Sequence, residues 1–233
     1  MKTGDKIEQR WRAETVLDDI RYPYVVADNW YTEEEEKCVW KELDFYSTMD
    51  QKERAEDNCA EKNGMPLANS YRFYVENYYK ETYKHISTIL SGDYKVRSVE
   101  FHKIVEKCLP YYRSFDTTNR TSTIISYYEE NDHYKPHHDS FAWTMLIWMV
   151  KEPKHFDGGD FKLIEPGHEI KLKNNRMVLF PSCYLHSVTP IKFHTQPKEM
   201  GYGRYCITHF FYSIPAGNPE PENWNNDGTR KNA

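Results

Sequence analysis

The stretch Tyr134 to Phe141, YKPHHDSF, sets two histidines directly before an aspartate. Imidazole and carboxylate both bind metals, so the triplet is a metal site, half of one, or a loop that happens to hold histidines. Side chains of an extended strand alternate between faces. An extended PHHD therefore puts His137 and Asp139 on one face and turns His138 away. One imidazole and one carboxylate hold a divalent cation from one side only, so a third ligand is required. His186, in PSCYLHSVTP, is the best candidate because it lies between two later strand-like runs.

Two imidazoles and one carboxylate on one face of a metal leave three positions open, the facial triad of non-haem Fe(II) chemistry. A structural zinc site is more typically closed by four protein ligands. Arg204 begins the strand-like run RYCITHFF. A guanidinium inside a strand is costly to bury unless it grips a carboxylate in a forked pair. His209 follows Arg204 by five residues and should face the opposite side, while His85, His102, His155, His168 and His194 have no ligand-like company.

The elements that must position these groups fall in two parts. YPYVVADNW, Tyr22 to Trp30, reads as a short strand and a turn. Thr32 and Glu35 then form a capping-box pattern before a helix whose Val39, Trp40 and Leu43 recur at helical spacing. Glu33 to Glu36 read as first-turn acids that favour the helix dipole. Met49 to Asn69 is a long polar loop, either a lid or an insertion. Further helices are expected from about Asn77 to Leu90 and from about Ser98 to Cys108, ended by Gly92 and Pro110 respectively.

After Arg120 short apolar runs alternate with turn residues: TSTIISYYE, YKPHHDS, AWTMLIWMV, DFKLI, HEIKL, RMVLFP, LHSVTPI and RYCITHFFYSI. Such spacing predicts an antiparallel sandwich or barrel, with AWTMLIWMV central because it is apolar on both faces. The expected class is α+β, mainly β: a jelly-roll (double-stranded β-helix) core with supporting N-terminal helices. A single domain over 22–215 is expected, helical over 22–120 and jelly roll over 121–215. A polar segment (1–21) and a flexible Pro/Asn/Gly-rich tail (216–233) flank it.

Composition narrows the function classes. A chain of 233 residues can bury a substantial core. Its net charge of −5, with no dense basic cluster, disfavours a broad nucleic-acid interface. There is no apolar run long enough to span a membrane and no secretory-type N-terminus, so a cytoplasmic location with no membrane partner is expected. Five scattered cysteines read as reduced thiols. The oligomeric state is not legible.

The ordered motifs YYEENDHYKPHHD, GGDF, NRMVLFP, LHSVTP and GRYCIT resemble the catalytic domain of 2-oxoglutarate/Fe(II)-dependent dioxygenases, closest to the prolyl 4-hydroxylase branch. The resemblance spans roughly Thr121 to Ser213. It implies His137, Asp139 and His186 as iron ligands and Arg204 as the residue that grips the distal carboxylate of 2-oxoglutarate. It also implies Tyr128, with Tyr127 as the fallback, beside the cosubstrate. Thr144 and Trp148, four apart on one strand face, are candidates to line the same pocket. The sequence departs from the family where GGDF replaces the usual GGET, where Trp148 stands for a frequent tyrosine, and in a long polar Ile191–Tyr202 connection. The implied cofactors are Fe(II), 2-oxoglutarate and O₂, with ascorbate as reductant. The implied reaction hydroxylates an aliphatic C–H, on a prolyl or other residue of a peptide or protein, or alternatively on a free amino acid or other small molecule. The carboxylate Asp139 favours hydroxylation over halogenation. Nucleic-acid demethylation is disfavoured because Phe210 stands where that branch has a second arginine. A non-catalytic jelly-roll binding module is the remaining alternative.

Overall fold

The computed structural model describes residues 12–16, 21–49, 53–55, 59–105, 111–195, 197 and 200–215. The tail 216–233, the end of the Ser98–Cys108 helix and parts of the 49–69 and 191–202 segments lie outside these residues. The N-terminal part supplies strands β1 (Arg12–Val16) and β2 (Tyr24–Asp28), then helix α1 (Glu33–Ser47). Short strands follow: β3 (Glu53–Arg54), β4 (Glu61–Lys62), β5 (Met65–Pro66), β6 (Ala68–Asn69) and β7 (Tyr71–Phe73). Helix α2 (Val99–Val105) precedes the core strands β8 (Arg120–Tyr128), β9 (His133–His137) and β10 (Trp143–Met149). The remainder are β11 (Phe156–Gly158), β12 (Phe161–Leu163), β13 (His168–Ile170), β14 (Arg176–Pro181), β15 (His186–Val188), β16 (Ile191–Phe193) and β17 (Arg204–Tyr212).

Two antiparallel sheets face each other. The larger runs β1-β2-β14-β10-β17-β8-β7-β3 and the smaller β13-β12-β15-β9-β6. Strand β10 shows why the larger sheet is a middle layer. Its Trp143, Met145, Ile147 and Met149 pack with the helical side, in one cluster with Val39 and Leu43 of α1 and Phe101 of α2. Leu146 and Trp148 pack toward the smaller sheet, with Phe161, Phe180 and Val188. All seven residues of β10 are buried, as the doubly apolar run predicts. This is the mainly β, jelly-roll architecture expected from the strand pattern.

Helix α1 starts where the capping box places it. Thr32 Oγ1 accepts from the Glu35 amide, and the Glu35 carboxylate accepts from the Thr32 amide at 2.8 Å. The expected Asn77–Leu90 helix is corrected to two separate 3-10 turns, Val75–Tyr78 and Glu81–Ile86. Glutamates divert the local hydrogen bonding: Glu76 accepts from Thr123 N of β8, and Glu42 of α1 accepts from Thr88 N and Ile89 N. These side chains take backbone donors or dock the turns, so no continuous helical ladder forms. Among the described residues, no helix is long and apolar enough to cross a membrane.

The described residues of the 53–73 segment add a strand to each sheet. Strand β7 extends the larger sheet against β8, and β6 extends the smaller sheet against β9. Arg54 ties the segment down, its guanidinium donating to Asp132 Oδ1 at 3.0 Å. In its described residues, the expected polar loop is a set of short paired strands.

Candidate metal centre

The centre is built at the mouth between the sheets, where β9 ends and β15 begins. His186 and His137 are direct partners across the β15–β9 pair. The strand assignment stops at His137, yet the alternation read from sequence persists for two more residues. His138 is exposed and its Nδ1 contacts the Cys183 carbonyl, while Asp139 turns back toward His137. The Asp139 amide donates to the Ser182 carbonyl at 3.1 Å, which anchors the chain leaving β9 to the end of β14.

His137, Asp139 and His186 each offer one ligand atom, all within 4.8 Å of one another. No other such group of histidine, cysteine or acidic residues occurs among the described residues. The tautomers suit a metal. Nδ1 of His137 lies 2.8 Å from the Lys135 carbonyl, and Nδ1 of His186 lies 2.8 Å from the Tyr184 carbonyl. A carbonyl only accepts, so each Nδ1 carries the proton and each Nε2 presents its lone pair. Those Nε2 atoms lie 3.6 and 3.5 Å from the two oxygens of Asp139. Burial, reinforced by His186, pushes the His137 pKa down to about 2 and keeps its imidazole neutral.

Asp139 is itself held. Thr144 donates its hydroxyl to Asp139 Oδ2 at 2.7 Å and is 2.8 Å from the Ser182 hydroxyl. Tyr134 stacks on His137, with ring centroids 3.4 Å apart, and its phenol oxygen accepts from the Ala60 amide.

Beside the triad, Arg204 is wholly buried, and none of its three guanidinium nitrogens has a hydrogen-bond partner among the described residues. It lies 4.8 Å from the Tyr128 ring centre and 5.5 Å from that of Trp148. GGDF explains how the backbone comes so close. A Cβ on Gly159, at φ +75°, would sit 3.0 Å from Arg204 Cδ, and one on Gly158 would collide with the Pro190 carbonyl. A buried, unmatched guanidinium costs several kcal/mol, and a carboxylate is the partner that fits its forked donors. The donor set and this orphaned cation, lining one cavity of about 290 Å³, fit an Fe(II) ion with a 2-oxo dicarboxylic acid beside it.

The expected pocket residues divide. Tyr128 lines the cavity, whereas Tyr127 faces the other side and accepts from the Gly201 and Gly203 amides. Thr144 and Trp148 share a face of β10, but neither lines the cavity. Thr144 is covered by Asp139, and Trp148 backs Arg204. Leu146, between them, reaches the cavity instead. Sequence reasoning missed it, although period-two alternation pointed to it. The same alternation finds Cys206 and Thr208 from Arg204, and Ser126 from Tyr128. Arg72 and Tyr74 also line the cavity. Neither carried a local signal, because β7, which holds Arg72 and ends just before Tyr74, enters the site only through sheet pairing. His209 faces away from Arg204 as expected, with its Nδ1 2.9 Å from Thr123 Oγ1.

Residues 123–212 match the family described as the 2OG-Fe(II) oxygenase superfamily. No curated protein sequence matches the chain. In fold, the chain is similar to a prolyl-4-hydroxylase from Pseudomonas putida, with a TM-score of 0.55 and 13% identity over 86% of this chain and 98% of that one. It is also similar to an oxidoreductase of the 2OG-Fe(II) oxygenase family from Burkholderia pseudomallei. That match has a TM-score of 0.51 and 12% identity, and covers 84% of this chain and 88% of the other.

Proposed function

We propose a reaction for a chain whose residues 123–212 match the 2OG-Fe(II) oxygenase superfamily: the hydroxylation of an aliphatic C–H by O₂, coupled to conversion of 2-oxoglutarate to succinate and CO₂. A prolyl residue, or another residue, of a peptide or protein is the first candidate substrate. A free amino acid or other small molecule is the alternative. The observation that carries the reading is the His137–Asp139–His186 cluster and the unmatched Arg204 in one cavity.

His137, Asp139 and His186 would hold the metal, leaving positions open on the cavity side. Fe(II) bound there would supply O₂ activation coupled to decarboxylation of the 2-oxo acid. Arg204 would receive the far carboxylate and so orient the cosubstrate along the cavity. Tyr128 and Trp148 hold that guanidinium in place by ring contacts. Thr144 keeps Asp139 turned toward the two Nε2 atoms. Leu146, Phe161 and Val188 line the cavity with apolar surface that excludes water around a bound C–H. Ascorbate would serve to keep the metal reduced.

The test supplies purified protein with Fe(II), 2-oxoglutarate and ascorbate, and follows succinate together with a one-oxygen mass gain across prolyl peptides and free amino acids. Succinate formation abolished by His137→Ala is expected. A wild-type protein that forms no succinate in the presence of any substrate of the panel sinks the reading.

A further inference from the structure

The ring of Tyr134 lies face to face with that of His137, and regular strand geometry does not allow it. The two residues are three apart on β9, so simple alternation would put them on opposite faces. Across the ladder, His186 pairs with His137 and Val188 with Tyr134, and the register shifts between them. Two steps along β15 therefore match three along β9. The extra residue makes a β-bulge, a device that re-aims side chains beside functional sites. Here it turns both Tyr134 and His137 into one cavity. Pro136 lies within the bulge, where a residue without an amide leaves no ladder donor unmade. The two ring centroids are then 3.4 Å apart and the planes differ by 11°.

A ligating imidazole must be fixed both in the direction of its nitrogens and in the tilt of its plane. The 2.8 Å contact of His137 Nδ1 with the Lys135 carbonyl sets the direction. A single hydrogen bond leaves the ring free to turn about its N–H axis, and the Tyr134 face removes that freedom. His186 is braced differently, by the rings of Phe161 and Phe180 at 5.4 and 5.0 Å. Tyr134 is in turn fixed from a separate two-stranded hairpin, β4–β5. Its phenol oxygen accepts from the Ala60 amide at 3.1 Å. Ala60 stands at the hairpin base, where its carbonyl accepts from the Leu67 amide at 2.9 Å. Asn63 and Gly64 form the tip at φ +56° and +73°, the positive values that a tight two-residue hairpin turn requires. The Lys135 amide donates to the Leu67 carbonyl, also at 2.9 Å. The hairpin base thus grips the bulge twice, through the Tyr134 side chain and through the Lys135 backbone.

We propose that Tyr134 is a positioning residue for the metal: its ring sets the plane of His137, and the hairpin base fixes that ring through the Ala60 amide. This role rests on the metal centre of the oxygenase reading above and gives that centre a support on a hairpin outside the two main sheets. Stacking does the orienting, so the ring matters more than its hydroxyl.

Co(II) binding to the purified protein tests the role without turnover. Equilibrium dialysis gives the affinity, the Co(II) visible spectrum reports the ligand geometry, and urea denaturation of the metal-free protein measures stability separately. Tyr134→Leu removes the flat face. It should weaken Co(II) binding about 10- to 100-fold and shift the spectrum. Tyr134→Phe keeps the ring and loses only the anchor, so it should restore most of the affinity. Ala60→Pro removes the donor amide and should match Tyr134→Phe. The double variant should match either single one, because both delete the same hydrogen bond. Each variant is checked for wild-type circular dichroism, and Tyr134→Met replaces Tyr134→Leu if the latter does not fold. Unchanged affinity and spectrum in Tyr134→Leu, with or without a loss of urea stability, overturns the proposal. A Tyr134→Phe protein as weak as Tyr134→Leu overturns it too, since the ring would not be the active part. Losses that add in the double variant overturn the anchoring through Ala60. A wild type that binds no Co(II), by contrast, sinks the metal centre itself and the oxygenase reading with it.

Discussion

His137 and His186 are direct cross-strand partners, with ring centroids 4.2 Å apart and each Nδ1 turned to a backbone carbonyl two residues earlier. The pairing of β15 with β9 therefore brings two remote histidines side by side as candidate ligands with matching tautomers. Asp139 completes the group because the chain continues past β9 and is caught by Ser182.

This arrangement predicts which substitutions remove the metal. His137→Ala, Asp139→Ala and His186→Ala should each abolish tight Fe(II) or Co(II) binding, measured by equilibrium dialysis. His138→Ala should leave it intact, because His138 is exposed and turned to Cys183. Loss of metal in His138→Ala with retention in His137→Ala would refute the assignment.

Thr144 acts on the centre through Asp139. Thr144→Val keeps the shape but removes the 2.7 Å hydrogen bond to Asp139 Oδ2. Metal affinity should fall about 10- to 100-fold, the usual cost of losing a partner that orients a ligand. Thr144→Ser should restore most of it, and an unchanged affinity in Thr144→Val would show that Asp139 needs no such support.

Arg204 offers a trade between stability and binding. Its nitrogens have no hydrogen-bond partners among the described residues, so the metal- and cosubstrate-free protein carries an unmatched buried charge. Arg204→Met should stabilise that state by about 1–4 kcal/mol in urea denaturation. The same variant should lose the stabilisation that 2-oxoglutarate confers on Zn(II)-loaded wild type. A less stable Arg204→Met protein, or one still stabilised by 2-oxoglutarate, contradicts the role.

His209 gives a pH signature away from the centre. Burial lowers its pKa from 6.5 to about 4 in the folded protein, only slightly opposed by Asp93. The unfolded chain thus binds the proton more readily. Stability is fully present above pH about 6.5 and falls as pH drops from there toward 4, by about 3 kcal/mol. His209→Asn should flatten that part of the urea-denaturation profile, and an identical slope in wild type and variant would remove His209 as its cause.

Much was legible in the linear chain wherever the cause is local. The capping box of Thr32 and Glu35 is a contact over three residues, and α1 begins there. The doubly apolar AWTMLIWMV becomes the fully buried β10 because apolar side chains on both faces of a strand require cover on both. Alternation selected His137 over His138, since a strand's two faces follow from backbone geometry alone. The expected 77–90 helix failed where remote partners, Thr123 of β8 and Glu42 of α1, competed for its polar groups. Thr144 and Trp148 lay on the expected face, but neighbouring chains decided what each met there. Strand order, the closeness of His186 to Asp139, the isolation of Arg204 and the entry of Arg72 into the cavity belong to tertiary structure. Each is set by which strands pair across dozens of intervening residues, and hydrogen-bonded backbone edges carry no residue identity from which that pairing can be read.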